Sequence, residues 1–183
     1  MVAGIRYTVI PLACILAAVT AYGDGFKPVV EEDGVRFERK AEGTFRWRGI
    51  FRVYDGALYL ENGGDKRAAM NGEAPLRLEL HYSRGFSASD IVEGGNALLE
   101  KNVDRETLTR ISDRLEKINT AYQDISSGDR YSLTFIPDKG TTLRLNGEPL
   151  VTVEGGDFAA AYFRIWLGDD PISTSFRDQL LGR

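Results

Sequence analysis

The sequence has only one cysteine, Cys14, and one histidine, His81, among its 183 residues. A single thiol excludes an intrachain disulfide, and the two residues together are too few for a Cys/His zinc cluster. Basic residues are also fewer than acidic ones: the sequence has 23 Lys and Arg and 27 Asp and Glu, which gives a net charge of −4. Nucleic-acid binding requires a basic surface. We therefore expect no metal, no cofactor and no nucleic-acid partner.

Long hydrophobic runs are absent except at the start of the chain. Arg6 supplies a positive charge, and an uncharged, mostly apolar run follows from Thr8 to Val19. Val19 and Ala21 place compact residues at the −3 and −1 positions of a possible cleavage site. The run is too short for a comfortable membrane span, so residues 1–21 are typical of a cleavable secretory signal.

Cleavage after Ala21 would leave a single domain, residues 22–183, that is periplasmic or secreted and not inserted in a membrane. The alternatives are an uncleaved anchor, a buried N-terminal element and lipid attachment at Cys14. Lipid attachment is disfavoured because Pro11 stands where a lipoprotein signal has leucine.

The remaining chain alternates between strand and helix patterns in blocks. Alternating and β-branched residues predict strands, apolar spacings of three and four predict helices, and residues 61–75 form a polar loop. This order predicts an α+β fold whose antiparallel sheet is covered by helices on one face. The strands fall within 27–60, 76–82, 131–137, 141–145 and 149–154, and the helices at 87–102, 105–123, 158–167 and 175–181.

The strand over residues 45–60 carries two different faces. Strict alternation places cations and a phenol on one side, at Arg46, Arg48, Arg52 and Tyr54, and apolar residues on the other, at Phe45, Trp47, Phe51 and Val53. The first face is either a solvated sheet surface or an anion clamp, because the arginine fork grips carboxylates in a bidentate manner.

Two glycine patterns carry local predictions. Gly49 and Gly56 interrupt the long strand and indicate bulges or bends. Gly94 and Gly95 lie inside a predicted helix, where each is unfavourable by about 1 kcal/mol relative to alanine. We interpret that pair as a point of close packing.

Four segments in order resemble the bacterial chalcone isomerase-like family. They are FRVYDGALYLE (51–61), GDRYSLTFIPDKGTTLRLNG (128–147), IWLG (165–168) and LLG (180–182). The resemblance is collinear over about residues 33–182. It implies an open-faced β-sandwich, in which helices are layered on a large antiparallel sheet.

The resemblance also implies where catalytic groups would fall. The plant enzymes of the family cyclise chalcones with an arginine, two threonines, a tyrosine and an asparagine. By local spacing these positions correspond to Glu42, Tyr54, Ile165, Ser89 and Asn96, with Arg46 as a substitute for the arginine on the same strand face. Only Asn96 matches outright, and an enolate-stabilising site needs its preorganised donors. Chalcone isomerase activity is therefore not expected.

Other family members are non-catalytic and bind fatty acids through an arginine and a tyrosine. The resemblance thus implies an exported, non-catalytic protein that binds a small apolar or amphipathic ligand, such as a fatty acid. Arg46 is the expected anion clamp, Tyr54 (or Tyr59) the supporting donor, and Asn96 a polar pocket residue. Two alternatives are an isomerase or lyase acting on an enone or phenol, with Tyr54 as acid/base, and a periplasmic interaction factor without a small ligand.

Overall fold

The computed structural model describes residues 25–183. The expected signal peptide, its cleavage site and Cys14 lie outside these residues. The described chain contains a seven-stranded antiparallel sheet in which the strand order in space equals the order in sequence. The strands are β1 (Val29–Glu32), β2 (Val35–Trp47), β3 (Phe51–Glu61), β4 (Leu76–Tyr82), β5 (Arg130–Ile136), β6 (Gly140–Leu145) and β7 (Glu148–Val153).

Helices are packed on one face of this sheet, which confirms the predicted α+β class. They enclose the main core, in which Leu58, Leu78 and Leu143 from the sheet meet Ile111, Ile118 and Phe158 from the helices. The helices are α1 (Lys66–Met70), α2 (Ala88–Asn102), α3 (Arg105–Asn119), α4 (Gly156–Tyr162), α5 (Arg164–Leu167) and α6 (Thr174–Leu181).

The helices differ from the sequence prediction in three respects. The polar segment expected to be a loop contains α1, which begins because the Asp65 side chain accepts hydrogen bonds from the backbone N–H groups of Arg67 and Ala68. The helix expected over residues 158–167 is divided into α4 and α5 at Phe163. Helix α3 ends at Asn119 rather than continuing to residue 123.

The sheet curls so strongly that β1 reaches across the face opposite the helices. The Glu32 carboxylate accepts hydrogen bonds from Arg77 on β4 at 2.6 Å, Thr134 on β5 at 2.8 Å and Arg144 on β6 at 2.8 Å. A second, smaller apolar cluster lies on this outer face and includes Phe26, Phe37, Ala57, Tyr59 and Ile136. The outer face is thus closed by polar and apolar contacts of the N-terminal strand.

Gly56 serves a packing role rather than marking a bulge. A Cβ atom at Gly56 would lie 2.5 Å from Cζ of Phe176, a buried residue of α6. The bulges of this hairpin occur elsewhere: Lys40 is the extra residue on β2 between Arg39 and Ala41, and Val53 is the extra residue on β3 opposite Phe45 and Arg46. The prediction of a bulge at Gly56 was therefore wrong, because the missing side chain makes room for a helix.

Candidate functional site

A cavity of about 390 Å³ lies between the helical layer and the sheet, at the end where β2, β3 and β4 meet α2 and α5. Its size falls in the range of small-molecule sites, and its walls are mainly apolar and aromatic as such sites require. The sheet contributes Phe45, Trp47, Val53, Tyr54 and Tyr82, and the helical side contributes Ile91, Leu98, Tyr162, Ile165 and Trp166.

One stripe of helix α2 forms part of the cavity lining. Ile91, Gly94, Gly95 and Leu98 recur at the i, i+3, i+4 and i+7 spacing of a helix face. A Cβ atom at Gly94 would meet nothing within 4 Å, and one at Gly95 would meet only Cδ1 of Ile165 at 3.7 Å. The interpretation of this glycine pair as a point of close packing is wrong. The glycines instead leave open the space that larger side chains would fill.

Tyr54 lies in an aromatic cluster at the wall. Its ring centroid is 5.1 Å from Phe45, 5.2 Å from Tyr82 and 5.4 Å from Phe176. The hydroxyl is closed off from solvent and has no hydrogen-bond partner among residues 25–183. Burial raises the pKa of Tyr54 well above its usual value, and the Tyr82 phenol adds to this shift. The phenol therefore stays protonated at neutral pH.

Two further tyrosines line the cavity and bond to each other. The hydroxyl groups of Tyr122 and Tyr162 are 2.9 Å apart. Burial is the largest cause of a raised pKa for both phenols. The pair is therefore neutral, and its hydroxyl groups satisfy one another at the apolar wall.

Two charged side chains, Arg84 and Asp90, also line the cavity, and both residues are exposed. Asp90 is occupied in capping α2, since its carboxylate accepts a 2.6 Å hydrogen bond from the Ser87 hydroxyl. That hydrogen bond is the main reason why the pKa of Asp90 is lowered. The Arg84 guanidinium lies 5.8 Å from the Phe86 ring centroid, and within residues 25–183 it has no ion pair. Arg84 is therefore the cation available to a ligand there.

The structure does not bring the four predicted ligand-binding residues together. Only Tyr54 lines this cavity. Arg46 lines a separate polar groove with Ser173 and Gln179. Tyr59 is fully buried on the outer face of the sheet, where its hydroxyl donates to the carbonyl oxygen of Lys27 at 3.0 Å. The side-chain oxygen of Asn96 accepts a 3.1 Å hydrogen bond from Asn119. The expected grouping with Arg46 as clamp is therefore corrected.

The error arises from a register shift between β2 and β3 near the tip of their hairpin. Alternation placed Tyr54 on a cationic face and Trp47 and Phe51 in the core. Tyr54 is instead buried towards the helices, while Trp47 and Phe51 are 49% and 53% exposed beside the turn. The extra residue Val53 on β3, opposite Phe45 and Arg46, breaks the alternation between Arg52 and Tyr54 that the prediction assumed.

Comparisons with known proteins address the fold. A sequence profile described as chalcone isomerase-like matches residues 26–182. The chain belongs to the chalcone isomerase-like family. The fold is similar to that in a crystal structure of a fatty-acid binding protein from Arabidopsis thaliana. The two structures superpose with a TM-score of 0.66 at 12% sequence identity. That similarity covers 85% of this chain and 90% of the plant protein. None of the curated proteins compared with the chain matches it.

The catalytic positions of the plant enzymes were assigned to this sequence by local spacing. Two of the assigned residues, Tyr54 and Ile165, line the cavity of this chalcone isomerase-like protein. Glu42 instead pairs with Arg39 at 2.6 Å. Ser89 lies at the start of α2, 2.9 Å from the Ser87 hydroxyl. The hydrocarbon side chain of Ile165 makes this part of the wall apolar.

Sequence reasoning missed Arg84. The residue stands in the short loop between β4 and the Ser87 cap of α2, and no periodicity marks such a position. A signal was nevertheless present, because Arg84 lies between the end of the predicted strand at Tyr82 and the predicted helix start at Ser87. Among residues 25–183, no cluster of metal-ligating side chains is present and no helix is long and apolar enough to cross a membrane.

Proposed function

We propose that this protein binds a small amphipathic carboxylate of the fatty-acid class without changing it chemically. The apolar part of the ligand occupies the cavity between α2, α5 and the sheet, and the carboxylate lies at Arg84. The observation that carries the proposal is an apolar cavity kept open by Gly94 and Gly95, lined by one cation that forms no ion pair with any described residue. The fatty-acid binding protein with the same fold supports this choice of ligand class.

The walls favour a hydrocarbon chain. Each methylene that leaves water for such a wall contributes about 0.8 kcal/mol, so a chain of several methylenes supplies much of the affinity. The buried hydroxyl groups near the cavity are occupied or closed off, as in the Tyr122–Tyr162 pair and in Tyr54. A strongly polar ligand would therefore find few partners inside.

The carboxylate is assigned to Arg84 rather than to Arg46. Arg84 lines the cavity and forms no ion pair in the part of the chain that the structure describes, and the Asp90 carboxylate in the same cavity is bound to Ser87. Arg46 borders a different groove. Arginine suits this role because its planar fork offers two donors to one carboxylate. Tyr54 contributes its ring to the wall, not its enclosed hydroxyl.

The same features disfavour the isomerase or lyase alternative. A general acid or base works best when its pKa lies near the operating pH. Burial raises the pKa of Tyr54 far from neutrality, and its hydroxyl is closed off from solvent. Tyr54 is therefore a poor candidate for moving a proton to or from a ligand.

Replacing Arg84 by glutamine is expected to weaken binding of palmitate about tenfold, because a charge-assisted hydrogen bond at the carboxylate is lost. Arg46→Gln is the matched control, since it also removes one exposed arginine but lies outside the cavity. Displacement of a fluorescent fatty acid measures both affinities. If the two variants weaken palmitate binding equally, or if neither variant weakens it, the assignment of the carboxylate to Arg84 is contradicted.

The proposal includes export of the protein, based on the signal pattern of residues 1–21. N-terminal sequencing of the protein recovered from the periplasm of a bacterial host tests it. A chain that begins at Tyr22 is the expected result, and a chain that retains Arg6 would contradict cleavage.

A further inference from the structure

The β2–β3 hairpin tip carries three exposed, large hydrophobic side chains. Trp47 is 49% exposed, Ile50 73% and Phe51 53%, and all three fall within five consecutive positions. Within residues 25–183, these are the large hydrophobic side chains that stand exposed. Scattered exposed hydrophobic residues are ordinary, but a contiguous group indicates an interaction surface.

The same hairpin tip is positively charged, although the whole protein is acidic. Residues 46–52 contain Arg46, Arg48 and Arg52 and no acidic residue. Arg52 pairs with Asp55, whereas Arg46 and Arg48 form no ion pair within the described residues. The chain as a whole has a net charge of −4. An anionic surface would therefore attract this tip and repel much of the rest.

The turn itself holds the apolar and cationic groups side by side. Arg48 and Gly49 have φ angles of 52° and 74°, and positive values at both central residues are the pattern of a tight type I′ turn. The Arg48 guanidinium lies 4.3 Å from the Trp47 ring centroid, and the Trp47 and Phe51 rings are 6.1 Å apart. The surface is thus preformed and needs little ordering when it binds.

We infer that the β2–β3 hairpin tip docks on an anionic lipid surface. Tryptophan and phenylalanine enter the interfacial region of a bilayer, and arginines beside them interact with anionic headgroups. Exposed apolar rings stand beside Arg46 and Arg48, which form no ion pair within residues 25–183, and this combination complements an anionic lipid surface. Trp47 also lines the cavity, so the docked hairpin would place the cavity beside the lipid. Docking itself does not depend on the proposed ligand.

The test is co-sedimentation of ligand-free protein with vesicles of phosphatidylglycerol and phosphatidylcholine in equal parts, and with vesicles of phosphatidylcholine alone. The wild type is expected to bind the anionic vesicles more strongly, and added NaCl is expected to weaken that binding. The double variant Ile50→Ser/Phe51→Ser should lower the partition coefficient about ten- to a hundredfold, because two apolar side chains no longer enter the lipid. The conservative pair Ile50→Leu/Phe51→Tyr should keep most of the binding.

Three results would overturn the inference. The first is wild-type protein that remains in the supernatant with anionic vesicles. The second is unchanged binding by the serine variant. The third is a wild-type dimer in sedimentation velocity that the serine variant dissociates, without vesicle binding, which would make the tip a contact between two copies. Palmitate binding in solution is measured separately on the serine variant, because Ile50 and Phe51 do not line the cavity. Failure of docking is thus distinguishable from failure of the proposed ligand.

Discussion

Replacing Gly95 by leucine is expected to weaken palmitate binding about a hundredfold. The isobutyl group would occupy space that about four ligand carbons otherwise fill, and each lost methylene contact costs about 0.8 kcal/mol. Gly95 is suited to this test because it lies on the stripe of α2 that faces the cavity, next to Ile165. Isothermal titration calorimetry with palmitate measures the change.

The control for this variant is Gly95→Ala. A Cβ atom there would make an ordinary 3.7 Å contact with Cδ1 of Ile165, so alanine fits. Both variants should raise the free energy of unfolding by up to about 1 kcal/mol, since each removes a glycine from a helix interior. Weak binding by the leucine variant therefore cannot be ascribed to unfolding. Wild-type affinity in Gly95→Leu would show that the ligand does not occupy this cavity.

Replacing Arg77 by methionine is expected to lower the free energy of unfolding by about 3 kcal/mol, because the buried carboxylates of Glu32 and Glu79 each lose one of the two arginines that they contact. Arg77 donates to Glu32 at 2.6 Å and to Glu79 at 2.9 Å, and the three side chains are only 8% to 14% exposed. Arg144 and Arg130 still neutralise Glu32 and Glu79 in the variant, at 2.8 Å and 3.0 Å. The expected loss is therefore at the lower end for a buried pair. Urea denaturation measures it.

A surface pair gives the control for this experiment. Arg36 and Glu31 are 3.3 Å apart, with side chains 57% and 73% exposed. Arg36→Met should change the free energy of unfolding by less than about 1 kcal/mol, since solvent screens the pair. Folded Arg77→Met should still bind palmitate, because its network lies on the face of the sheet away from the cavity. Similar stability losses in the two variants would contradict a special role for the Glu32–Arg77 contact in closing the outer face.

Much of the fold could be predicted because the relevant signals are local. The alternation of residues 76–82 and the capping box at Ser87 and Asp90 act within a few residues, and both features are present in the structure. The curl of the sheet could not be predicted in this way. It depends on Glu32 meeting Thr134 and Arg144, which are more than a hundred residues away in sequence.

The candidate site was harder to predict than the fold. One extra residue in β3, Val53, placed Tyr54 in the core, so alternation assigned Tyr54 to the wrong face. Tyr59 lies five residues after Tyr54 on the same strand, and odd spacing puts it on the opposite side of the sheet. Arg84 lies in a loop where no period exists. The glycine pair was noticed, but only the tertiary structure distinguishes a tight contact from an open space.

Native mass spectrometry of the wild-type protein after incubation with excess palmitic acid tests the central claim most directly. We predict one additional mass per chain, equal to that of the fatty acid, and its loss in Gly95→Leu but not in Gly95→Ala. Folded wild-type protein that shows only the ligand-free mass would contradict the proposal that the cavity holds a fatty acid.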